Sequence, residues 1–150
     1  MIPAFAMHIP RPGFHSITPY LFVKQAAAYL DHLRDAFGAV AVSVQVRPDG
    51  TLMHAELRIG DSIVMVGEAP EGIPPTQCSL YLYLPDCDAA HAHALAYGAV
   101  AFFPIATMPS GERYGGVHDT RGNLWWIASH VEELSLEEQE KRWREFRTKE

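Results

Sequence analysis

The stretch His54-Ala55-Glu56-Leu57-Arg58 sets an imidazole, a carboxylate and a guanidinium at alternate positions. On an extended strand all three share one face, because side chains two apart point the same way. His54 and Glu56 then have the placement that acid–base work, or the binding of a polar ligand, requires. An internally paired His–Glu–Arg array that only solvates the face is the plainer alternative. A second set lies further along. If Asp119-Thr120-Arg121-Gly122 is a four-residue hairpin loop, His118 pairs with Asn123, Gly115 with Trp126 and Arg113 with Ala128. Arg113 and Trp126 then share a face. Arginine is a natural anchor for a carboxylate or phosphate. Trp126 offers a ring to stack on and one N–H donor, and Gly115 leaves the space above it open. A salt bridge from Arg113 to Glu112 or Glu56 is the competing role.

The elements that must position these residues follow from the pattern. Gly60-Asp61 between two alternating runs is a strong hairpin signal over 52–67. It pairs Ile59 with Ser62, Leu57 with Val64 and Ala55 with Val66. One face is then Met53, Ala55, Leu57, Ile59, Val64 and Val66, an apolar set that should pack on a helix. The other is His54, Glu56, Arg58, Ile63 and Met65. Upstream, 16–23 predicts a strand, 25–37 a helix ended by Gly38, and 41–47 another strand. The proline-punctuated stretch 68–77 reads as a linker. The pattern then restarts: strand 79–84, helix 86–97, and strands at 100–103, 112–118 and 123–129. A tail helix begins at Leu136, with Ser135 and Glu138 at capping-box spacing. Ala36-Phe37-Gly38-Ala39-Val40 recurs sixty positions later as Ala96-Tyr97-Gly98-Ala99-Val100. Each half is therefore one βαβββ unit, and the chain is a duplication.

Composition bounds the function. A formal net charge of −6 excludes the basic footprint that nucleic-acid binding needs. No apolar run reaches the ~18 residues of a membrane helix. The start, Met1 to Met7, lacks a basic region and carries an early proline, so no signal peptide is read there. Strand geometry sets Cys78 and Cys87 about 20–30 Å apart, too far for a disulfide. They are expected as free thiols of a reducing cytoplasm. His8, His15, His91 and His93 are assigned surface or packing roles.

Taken in order, His15-Ser16-Ile17-Thr18-Pro19-Tyr20-Leu21, Ala36-Phe37-Gly38-Ala39, His54 to Asp61 and Asp119 to Ile127 resemble the vicinal oxygen chelate superfamily, which includes glyoxalase I, bleomycin resistance proteins and extradiol dioxygenases. The resemblance covers about 15–130. It implies an α+β fold of two tandem βαβββ modules forming an eight-stranded cup, the site inside the cup, and a homodimer. The corresponding division is an extended arm at 1–14, modules at 15–68 and 78–130, and a C-terminal helix at 135–148, in one structural domain. The family's metal-ligand positions fall on Thr18, Met65, Ser79 and Trp126. That set supplies none of the imidazole or carboxylate donors that a catalytic divalent ion needs. The resemblance is thus to the metal-free branch, with no cofactor. Tyr20, Phe22, Tyr81, Tyr83 and Trp126 share the inner-face parity with Thr18 and Ser79, as aromatic walls of a small-ligand pocket do.

Three functions are open at this point. The first is a binder of a small, partly aromatic or anionic molecule. Its contacts would be Tyr20, Phe22, His54, Glu56, Arg58, Met65, Ser79, Tyr81, Tyr83, Arg113 and Trp126. The second is a lyase, isomerase or dioxygenase that uses His54 and Glu56 as acid–base residues or displaced ligands. The third is an interaction domain whose cup is filled by its own rings.

Overall fold

The computed structural model describes residues 10–149. Most of the expected N-terminal arm, residues 1–9, lies outside the described residues. The chain divides into two compact units, 1–76 and 77–150.

The first unit runs β1 (Tyr20–Val23), α1 (Ala26–Phe37), β2 (Val40–Val46), β3 (Leu52–Ile59) and β4 (Ser62–Glu68). Its sheet has the order β1-β4-β3-β2, with β1 and β4 parallel and the other pairs antiparallel. The β3–β4 register is the one the Gly60-Asp61 turn dictates, with Ile59 opposite Ser62 and Ala55 opposite Val66. Gly60 has a φ of 59°, which that tight turn favours and which glycine adopts without steric cost. Leu21, Val23, Ala55, Leu57, Ile59, Val64 and Val66 are buried, as are Tyr29, Leu33 and Phe37 of α1. The alternation of β3 and β4 thus gives the unit a core face, as the pattern requires. Met53 departs from it and is exposed. The entry to α1 uses a remote cap: Glu68 at the end of β4 accepts from the backbone N–H groups of Gln25 and Ala26, at 2.9 and 2.7 Å. A carboxylate there also meets the positive end of the helix dipole.

The second unit repeats the plan with β5 (Ser79–Tyr83), α2 (Cys87–Ala96), β6 (Val100–Thr107), β7 (Glu112–His118) and β8 (Leu124–His130), followed by α3 (Leu136–Arg147). The sheet order is β5-β8-β7-β6, with β5 and β8 parallel. Asp86 caps α2, and Ser135 caps α3 as its spacing from Glu138 predicts. β6 continues past Pro104 to Thr107, four residues further than expected. It is an edge strand, where a missing N–H costs no ladder bond. Both edge strands slip register at the same point of the repeat, between Ala41 and Ser43 in β2 and between Ala101 and Phe103 in β6. The extra residues, Val42 and Phe102, are exposed. Cys78 and Cys87 are free thiols. Among the described residues no helix is long and apolar enough to cross a membrane.

Candidate functional site

Each sheet has a face turned away from its helix, and the candidate residues divide between those two faces. In the first unit, Tyr20 lies opposite Met65 and Phe22 opposite Gly67; Glu56 also lies opposite Met65, on its other side. The Tyr20 and Phe22 rings stack at 4.3 Å between centroids. They lie over Gly67, where a Cβ would approach the Tyr20 hydroxyl to 3.1 Å. The Tyr20 hydroxyl is 2.8 Å from His54 Nδ1, and His54 Nε2 is 3.4 Å from Glu56 Oε1. The alternation therefore does bring His54 and Glu56 together. Their partner is not Arg58, which is exposed, but Arg11, whose guanidinium donates to Glu56 Oε2 at 2.5 Å. Arg11 also stands over the Phe14 ring, at 3.9 Å from its centroid. Glu56 is 5% exposed. Arg11 holds its carboxyl below the usual carboxylate range against the opposing effect of burial, and His54 adds to the shift. A carboxylate so stabilised is a weak base.

In the second unit the expected register is displaced by one residue. His118 pairs with Leu124, Gly116 with Trp126 and Tyr114 with Ala128. The cause is Asn123. It is fully buried, its side-chain carbonyl accepts from the Cys78 backbone N–H at 2.9 Å, and its own N–H donates to Asp119 Oδ1 at 3.0 Å. These bonds hold Asn123 in the turn, which is five residues long rather than four. A one-residue slip turns every side chain on β7 to the other face. Arg113 consequently does not share a face with Trp126. It faces α2 and makes a two-pronged pair with Asp88, at 2.6 and 2.7 Å. Neither Glu112 nor Glu56 is its partner.

The place expected for Arg113, opposite Ala128, belongs to Tyr114, and Glu112 lies two positions before it on the same face. Tyr81 donates to Glu112 Oε2 at 2.7 Å and Tyr83 donates to Oε1 at 2.9 Å. Both hydroxyls reach across β8, over the small, fully buried Ala128. Burial and the neighbouring Glu112 carboxylate push the Tyr81 phenol well above its ordinary value, so it stays a donor. His130 Nδ1 lies 3.4 Å from Glu112 and its Nε2 2.9 Å from Glu133. Ser79 is exposed on the same face, opposite Leu124.

Trp126 is half-buried beside three rings: Tyr114 at 5.7 Å, Phe102 at 5.8 Å and Phe103 at 5.8 Å between centroids. The space next to it is made by Gly116, not Gly115, and it is filled. A Cβ on Gly116 would meet Phe102, Phe103 and Trp126 at 3.2–3.3 Å. The β6 bulge is what supplies both phenylalanines. Gly115 faces α2, where a Cβ would press on His91 and Ile105 at 3.0 Å. His91 is buried there and its Nε2 has no hydrogen-bond partner. Trp125 points to that packed side, 2% exposed, and donates to Asp119 at 2.8 Å.

Glu112, Tyr114, Phe102, Phe103 and Arg11 are not among the site residues the sequence predicts; Glu112 enters there only as a possible partner of Arg113. Correct register would have revealed Glu112 and Tyr114, which share parity with Trp126 once Gly116 is its partner. Nothing local marks Arg11. Thr18, Met65, Ser79 and Trp126 are a hydroxyl, a thioether, a hydroxyl and an indole, which do not fit a divalent ion. Among the described residues no group of three or more His, Cys, Asp or Glu is arranged to hold a metal ion.

No family model matches the chain. It is 31% identical over 134 residues to the uncharacterized protein Mb0911c of Mycobacterium bovis, covering 82% of this chain and 88% of that protein. Among solved structures it superposes on TioX from Micromonospora sp. ML1 with a TM-score of 0.66 and 25% identity, over 81% of this chain and 100% of the other. A glyoxalase/bleomycin resistance protein/dioxygenase family enzyme from Burkholderia phytofirmans PsJN gives a TM-score of 0.59 and 14% identity, over 75% and 95%.

Proposed function

We propose that the chain, which shares the fold of glyoxalase-related and fosfomycin-resistance proteins, is a member of the vicinal oxygen chelate superfamily and binds a small aromatic molecule on the open face of its second sheet, without a metal. The observation that carries this is the aromatic wall around Trp126. Tyr81 and Tyr83 are 45% and 59% exposed, Phe102 is 53% exposed, and Trp126 itself is half-buried. Rings left open on a sheet face offer large contact area at low entropic cost, with hydroxyl and N–H groups to orient a ligand. The metal-free part rests on the donor chemistry of Thr18, Met65, Ser79 and Trp126. The acid–base alternative on His54 and Glu56 has less support, because Arg11 neutralises Glu56 and lowers its proton affinity.

Thermal unfolding with a panel of naphthol, quinoline and indole derivatives tests the reading. At least one compound should raise the midpoint of the wild type and of Trp125→Phe but not of Trp126→Ala. A panel that leaves the wild type unmoved, or that shifts Trp126→Ala equally, would contradict it.

A homodimer belongs to the same proposal. Val40, Val42, Val44 and Val46 on the edge strand β2, and Val100 and Phe102 on β6, are exposed, and apolar edges are normally covered. Light scattering that gives only a 16.7 kDa species at micromolar concentration would refute it.

A further inference from the structure

The open face of the second sheet carries a carboxylate, Glu112, and no Lys or Arg; the carboxylate's basic neighbour is His130, which Glu112 shares with Glu133. The only Lys or Arg on its four strands is Arg113, and that side chain is turned to α2 and paired with Asp88. What the face does present is the Glu112 carboxylate and the rings of Tyr81, Tyr83, Tyr114, Phe103 and Trp126. Aromatic faces are the negative part of a ring's quadrupole. The hydrogen-bond partners of Glu112 are two neutral phenols, at 2.7 and 2.9 Å, and the His130 ring at 3.4 Å. Glu133 and Glu112 hold the His130 imidazole above its ordinary value, so its positive charge is shared between two carboxylates and the phenols orient Glu112.

We propose that the ligand of this face is a cation: an aromatic amine or quaternary ammonium compound whose ring lies on Trp126 and whose charged nitrogen sits over the tyrosines, toward Glu112. This rests on the ring-binding reading above and reverses the anionic ligand that Arg113 had suggested. The geometry suits it. Tyr81 and Tyr83 have ring centroids 5.1 Å apart and Tyr81 and Tyr114 5.9 Å apart, so three ring systems surround the approach to one carboxylate. A cation over such rings is attracted without needing a free lone pair on Glu112.

Three probes that share a ring and differ in charge decide it: trimethyl(2-naphthylmethyl)ammonium, 2-naphthalenemethanol and 2-naphthylacetate, titrated at low and moderate salt. The cation should bind at least about tenfold more tightly than the anion, a difference of about 1.4 kcal/mol. Added salt should narrow that preference. Glu112→Gln should weaken the cation about five- to tenfold and leave the alcohol unchanged. Tyr83→Phe keeps the charge and should keep the preference. If the alcohol and the anion bind as well as the cation, the charge assignment fails and ring binding stands. If Glu112→Gln leaves the cation's affinity unchanged, or Tyr83→Phe abolishes its preference, the assignment also fails. If none of the three binds, both readings fall.

Discussion

The two modules share one backbone plan and use a carboxylate in opposite ways. In the first, Glu56 sits in the middle of β3, almost wholly buried, and Arg11 neutralises it. At the same place in the second module's ladder, opposite Trp126 as Glu56 is opposite Met65, the residue is Gly116. The carboxylate there is Glu112, at the start of β7, held by two phenols and the His130 ring, with its side chain 18% exposed against 7% for Glu56. The surroundings follow the same division. Two stacked rings lie over β4 in the first module, whereas a cluster reaching from Tyr83 to Phe102 covers the second. One copy of the duplicated scaffold thus sets its carboxylate against an arginine, and the other sets its own among two phenols and an imidazole. On the proposed reading the second is the recognition surface.

The largest expected effect tests whether the second sheet has one sealed face and one open one. Trp125→Ala should cost about 3–5 kcal/mol, since it removes a buried indole and leaves Asp119 without that donor. Trp126→Ala, from a half-buried site, should cost about 1–2 kcal/mol. Denaturant melts give the order, and a Trp126 variant less stable than the Trp125 variant would mean that the face is packed shut.

Next in size is the contrast between the carboxylates. Glu56→Gln removes the charge that Arg11 binds; with Arg11 largely solvent-exposed the loss should be about 1–2 kcal/mol. Glu112→Gln retains an acceptor for the tyrosines and should cost less than about 1 kcal/mol. Equal losses would erase the distinction between the two carboxylates.

The smallest effects are in pH. Glu56 is held below the ordinary carboxylate value of 4.5, so the folded state binds its proton less readily than the unfolded chain. Its contribution is present above about pH 4.5 and is lost as pH falls through the native value. The stability gap between wild type and Glu56→Gln should therefore close in acid. Tyr81 is raised above its ordinary value of 10.0, chiefly by burial. Its contribution is present below pH 10 and is lost as pH rises further, so the gap to Tyr81→Phe should close in alkali. Urea melts across pH 3–6 and 8–11 would show both trends, and a gap that widened in either limb would contradict the assignment.

Much of this architecture was legible in the sequence because it is local. The Gly60-Asp61 turn set the β3–β4 register, and periodicity located α1 and α2. The sixty-residue repeat gave the second module from the first. What was not legible depended on single long-range bonds. In the sequence Asn123 counts as strand; its bond to the Cys78 N–H, 45 residues away in sequence, moves the β7–β8 register by one, puts Tyr114 in the place of Arg113 and brings Glu112 onto the face of Trp126. Arg11 is equally distant from Glu56, and an ion pair of that span leaves no periodic trace. The bulges at Val42 and Phe102 were missed because an inserted residue looks like ordinary alternation out of phase.

The central claim, that the open face of the second sheet holds an aromatic ligand, is tested most directly by following the indole N–H resonances of Trp125 and Trp126 in 15N-labelled protein. During titration with trimethyl(2-naphthylmethyl)ammonium and 2-naphthalenemethanol, the Trp126 resonance should shift progressively and saturate, while that of Trp125, bonded to Asp119 on the packed side, stays in place. Movement of Trp125 alone, or an unmoved Trp126 at saturating probe, would contradict the account.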